Sequence, residues 1–238
     1  MKAKAAGGDA LEGATWLDAN WMFVGPYIGL LCILRAQGRS LGSIEFLAWV
    51  LVPIYALHQF EENAYDFHWH RYAYQDFFNS MVTKFKLEIS VRQITLVNII
   101  TVWVGFPLAA WRLDSDGDEL PAAFQWAMAT FHGSLHLVSA LIYGYNPGAA
   151  QSLIMVPLGV QFLRLVGQRH GRQAVFAALA YGGPVSHFIA AFFPLRLVQD
   201  KVITDKAFAL VQALVCCVLP LAVAPIFRSA PAAPAKNA

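Results

Sequence analysis

PAAFQWAMATFHGSLHLVSALIYGYNPGAAQSLIMVPLGVQFL, residues 121–163, runs for 43 positions without an Asp, Glu, Lys or Arg. A hydrocarbon core about 30 Å thick takes roughly 20 apolar residues per helical crossing. The stretch therefore reads as two crossings, hinged at Gly144-Tyr145-Asn146-Pro147-Gly148, where Gly, Asn and Pro each favour a turn. A second charge-free run covers 173–195. Working outward, charged residues punctuate five more segments of spanning length. Asp18 and Arg35 bracket the first, Glu45 and Glu61 the second, and Arg92 and Arg112 the third; 173–195 and 207–227 complete the set. The expected fold is an all-α, polytopic transmembrane bundle of about seven spans.

Composition agrees. Of the 238 residues 58% are hydrophobic and only 13% are charged, against about 25% charged in a soluble domain. A net charge of +2 and the lack of a basic patch interleaved with aromatics exclude nucleic acid as the expected partner. Cys32, Cys216 and Cys217 lie in apolar runs without CxxC spacing and read as small buried hydrophobes. The N-terminus has no apolar region beside its lysines and does not read as a secretory signal. Residues 1–15 are expected as a tail, 16–228 as the bundle, and 229–238, rich in Ala and Pro, as a disordered tail. Within the bundle, about residues 64–91 open with YDFHWHRYAYQDFF and are expected to lie along the membrane surface, partly helical. His68 and His70 belong to that aromatic belt as polar tips. Arg164, Arg169, Arg172 and His170 read as a surface loop. Gly25-x-x-x-Gly29 offers a helix-packing face.

Ionisable groups inside spans are costly and mark function by default. His58-Gln-Phe-Glu61-Glu62 closes the second span, and both carboxylates flank the imidazole at i+3 and i+4. His132-Gly-Ser-Leu-His136 puts two imidazoles on one face of the fourth span, and His187 lies in the sixth. Counted at about 1.5 Å per residue, His58, His136 and His187 reach similar depths of ~21–22 Å, and Asn98 on the third span falls in the same layer. A lone intramembrane His usually just packs, but ionisable groups from three helices in one layer argue for a site. The expected metal ligands are His58, Glu61, Glu62, His132, His136 and His187. As a catalytic set His58, Glu61 and Glu62 supply acid and base, with Asn98 and His132 toward substrate. Neutral His with carboxylate suits a transition metal, zinc or iron; the same groups in a dry pocket also serve metal-free proton transfer.

The chain resembles the bacterial membrane-protein family named for its HxxEE motif. The resemblance rests on His58-Gln-Phe-Glu61-Glu62, on VWVGFPLAAW (102–111) and on HGSLHLVSALIYGYNPG (132–148). It covers about residues 45–195 and implies an integral protein of the bacterial inner membrane with a metal at the motif. Family members commonly carry Asn four residues before the span-four His; here that position is His132, an added potential ligand. The leading reading is a membrane enzyme acting on a lipophilic substrate, with membrane lipids or a lipophilic small molecule as partner. The alternatives are a metal-free isomerase or cyclase resembling the sterol isomerases, and a transporter or structural membrane protein. HGSLH also resembles a desaturase spacing, but HxxHH is missing.

Overall fold

The computed structural model describes residues 14–227; the tail expected over 229–238, and all but the last two residues of the tail at 1–15, lie outside the described residues. Eight helices and no strands make up the described chain. They are α1 Trp16–Ala36, α2 Ile44–Asn63, α3 Ala73–Val82, α4 Val91–Asp116, α5 Leu120–Tyr143, α6 Ala149–His170, α7 Arg172–Gln199 and α8 Asp205–Phe227. In lipid a helix satisfies its own backbone polar groups, which is why the apolar runs fold this way. Thr15 and Asp18 close a capping box on α1, and Ser43 caps α2.

Five of these helices (α1, α4, α6, α7 and α8) are long and apolar enough to cross a membrane. Helices α2 and α5, of 20 and 24 residues, occupy the other two expected spans. They fall short in apolarity because they carry His58, Gln59, Glu61 and Glu62, and Gln125, His132 and His136. Ion pairs fix the relative direction of α1 and α4. Asp18 meets Arg92 at 3.3 Å at one end, and Asp114 meets Arg35 at 3.3 Å and Arg39 at 2.6 Å at the other. The two helices thus run the same way, with α2 returning between them. The Gly117 turn and Thr15 accordingly sit at opposite ends of the bundle.

Gly29 packs on the backbone of α2, where a Cβ would stand 2.9 Å from Pro53 Cα, so the small-residue face does join α1 to α2. The spans continue through their prolines. π-helical turns at Ile99–Gly105, Tyr181–Phe192 and Leu214–Val218 sit next to or around Pro107, Pro184 and Pro220. The three cysteines are buried and unbridged.

One expectation changes. The arginine-rich stretch after residue 163 is not a loop: α6 continues to His170, and Arg169 and His170 hold Glu119. Long basic side chains reach polar partners from a helix end, so the helix need not stop at the first charge. The segment about 64–91 is partly helical. Helix α3 turns one face inward, burying Phe78 and Val82, because an amphipathic helix finds apolar cover in the bundle. The Tyr72 hydroxyl donates to Asp18 C=O at 2.8 Å and ties the start of α3 to α1.

Candidate metal centre

Residues four apart share one helix face. His58 and Glu62 therefore project together from α2, and His132 and His136 from α5. Where these faces meet, Glu62 Oε1 lies 3.3 Å from His58 Nε2, 3.2 Å from His136 Nε2 and 3.9 Å from His132 Nε2. The Nε2 atoms of His132 and His136 are 3.0 Å apart. Each residue presents one donor atom, and all four lie within 4.8 Å of one another. Donors at about 2.0–2.1 Å from one tetrahedral ion stand roughly 3.3 Å apart. The observed separations bracket that value.

The outer nitrogens decide which atoms are free to ligate. His58 Nδ1 donates to Gly148 C=O at 3.0 Å, and His136 Nδ1 donates to Asn146 Oδ1 at 2.5 Å. His132 Nδ1 donates to His187 Nε2 at 3.4 Å, while His187 Nδ1 donates to Gly182 and Gly183 C=O at 3.0 Å each. A carbonyl has no proton to give, so His58, His136 and His187 keep their hydrogen on Nδ1; in neutral rings that leaves His187 Nε2 an acceptor for His132 Nδ1, and each inner Nε2 carries a lone pair. Such outer hydrogen bonds orient imidazoles in metal sites. His58 and Glu62 are 0% and 2% exposed. His58 Nε2 and Glu62 Oε1 are sealed from solvent without a hydrogen-bond partner. Buried lone pairs converging on a buried carboxylate form a group that could hold a cation at its centre. The donor set fits a transition metal: borderline imidazole nitrogens with one hard oxygen suit Zn, Fe or Mn.

Of the residues expected from sequence, His58, Glu62, His132 and His136 come together. His187 stands one ring further out, stacked on His132 at 5.6 Å. Glu61 points elsewhere, accepting from the Tyr145 hydroxyl at 3.0 Å. Asn98 accepts from Gln59 Nε2 at 2.8 Å and lines the adjoining cavity. His68 and His70 are exposed, and their backbone amides donate to Asp66.

Sequence reasoning missed the turn's part in the site. Tyr145, Asn146 and Gly148 bond to Glu61, His136 and His58 in turn. Gly148 has φ +87°, and a Cβ there would lie 2.4 Å from His58 Cε1 and 3.1 Å from His136 Cε1. Only glycine fits. Tyr55 and Tyr74 were also missed; Tyr55 stacks on His132, and Tyr74 packs tilted against His136. Tyr55 precedes His58 by three residues, a spacing that places both on one face.

A cavity of about 380 Å³ opens beside the cluster. Glu62, His132 and His136 border it together with apolar side chains such as Phe78, Val97 and Phe192.

Residues 49–162 match the HXXEE family, described as proteins of unknown function with an HXXEE motif. All four converging donors fall within the matched stretch, as does the Tyr145–Gly148 turn. His187 and α8 lie beyond it, so the HXXEE stretch holds the donors while its cavity is completed by helices outside it. No similarity to a curated protein or to a solved structure is found.

Proposed function

We propose that this protein is an integral-membrane metalloenzyme acting on a lipophilic substrate taken from the bilayer, in the inner membrane of a bacterium. One observation carries the reading: three imidazole lone pairs and a buried carboxylate converge at the edge of a largely apolar cavity. A volume of about 380 Å³ falls within the roughly 300–1,000 Å³ usual for small-molecule sites. His58, Glu62, His132 and His136 would hold zinc or iron, which when bound supplies Lewis-acid polarisation or redox chemistry. The chain's own contribution is preorganisation. Carbonyls and His187 lock the imidazoles, the α2–α5 crossing excludes water, and the apolar walls admit a hydrocarbon body. Spans α2 and α5 cross with the other five, and burying their polar faces on one another is what makes that tolerable.

The test is elemental analysis together with lipid mass spectrometry on protein purified in mild detergent. The expected result is one transition metal per chain and a specific co-purified lipophile. Ala191 lines the cavity, so Ala191→Phe should lose the lipophile and keep the metal. Folded protein that binds lipophile without stoichiometric metal would return the site to acid/base chemistry by His58 and Glu62. Neither metal nor lipophile would return it to a transport or structural role.

A further inference from the structure

Two tyrosines frame the cluster on its cavity side, and the metal reading does not use them. The Tyr55 ring stacks on His132 at 5.8 Å with 27° between planes, and lies 5.0 Å from the His58 ring. The Tyr74 ring covers His136 at 5.3 Å. One comes from α2, a turn before the motif, and the other from α3, the helix folded over the site. Both border the cavity, as does Glu62.

Two other tyrosines in the described chain have acceptors for their hydroxyls. Tyr72 donates to Asp18 C=O, and Tyr145 donates to Glu61. The hydroxyls of Tyr55 and Tyr74 meet no acceptor among the described residues. A phenol O–H in an apolar enclosure loses its water partners, so it gains from any acceptor brought to it. Phe77, Phe78, Met81 and Val97 form apolar walls nearby and supply no acceptor of their own. A ligand matched to this cavity has a hydrocarbon body and one oxygen acceptor at the tyrosine end, next to the His/Glu centre.

We propose that Tyr55 and Tyr74 bind the oxygen of an oxygenated lipophile, a hydroxyl or carbonyl carried on an apolar chain. The inference rests on the reading of the cavity as a lipophile site and names the chemical class of its occupant. Two donors from two helices fix that oxygen beside the His/Glu centre. The Tyr74 bond comes from α3, so substrate binding also ties α3 to the site.

Decanol and decane share one hydrocarbon body and differ by the oxygen. Their binding to the purified full-length protein in nanodiscs is measured by calorimetry, for wild type, Tyr55→Phe, Tyr74→Phe and the double variant. Metal content is determined on the same samples. Phe keeps each ring on its imidazole, so folding and metal should not change. Wild type is expected to prefer decanol at least tenfold. Each single variant should lose about five- to tenfold of decanol affinity, the worth of one hydrogen bond, and the double should bind decanol no better than decane. An unchanged preference in the double variant overturns the proposal, as does wild type that binds decanol no better than decane or binds neither. Wild type without metal but with a tyrosine-dependent preference overturns the metal reading and supports this one.

Discussion

Gly148 C=O accepts a hydrogen bond from His58 Nδ1 at 3.0 Å, joining positions 90 apart in the chain. That bond makes a turn between two helices part of the site. The carbonyl holds the Nδ1 hydrogen, leaving Nε2 bare toward Glu62, and the missing Cβ lets the His58 and His136 rings close on the backbone.

Gly148→Ala should therefore displace both rings. The expected cost is about 2 kcal/mol or more of stability, from left-handed strain plus the clash, with loss of the bound metal. Gly144 also has positive φ, +87°, but a Cβ there meets nothing within 4 Å. Gly144→Ala should cost about 1 kcal/mol and keep the metal. Thermal melting beside elemental analysis of both variants checks this.

The two motif carboxylates should separate. Glu62→Gln removes the only oxygen donor of the cluster and should abolish stoichiometric metal while the helices remain inserted. Glu61→Gln, whose carboxylate faces Tyr145, should keep it. Metal-to-protein ratios for the two variants decide. Equal loss in both would mean that Glu61 ligates as well.

His187→Ala should weaken metal affinity by about 10–100-fold without changing stoichiometry at saturating metal, the usual effect of losing a group that orients a ligand. Competition with a chelator of known affinity measures it. A drop to zero at saturation would make His187 a ligand.

Much of this was open to reading in the sequence, for definite reasons. Lipid admits only helices, so the charge-free runs at 121–163 and 173–195 had one outcome. The i,i+4 pairs at His58/Glu62 and His132/His136 are fixed by helix geometry alone. Which of Glu61 and Glu62 faces the cluster was not open to the same reading. Adjacent residues point about 100° apart around a helix, and the rotation of α2 is set by its packing against α1 and α6. The role of the Tyr145–Gly148 turn was hidden because its backbone carbonyl, which every residue possesses, does the work. That α3 also lines the cavity was hidden because its aromatics suit an interface as well as they suit a cavity.

Metal retention should fall with pH. Imidazole binds metal only when neutral, and its ordinary pKa is about 6.5. Metal-linked stability is thus present above about pH 7 and lost as the pH drops through about 6, with more than one proton taken up per ion released. Dialysis against metal-free buffer at stepped pH, followed by elemental analysis, should show that steep decline.

The central claim is that His58, Glu62, His132 and His136 hold one ion inside the membrane bundle. Elemental analysis of folded wild-type protein beside Glu62→Gln tests it most directly. One transition metal per wild-type chain and none in the variant is the expected result. Folded, monodisperse wild-type protein that takes up no transition metal, even when zinc and iron(II) are offered at neutral pH, would contradict it.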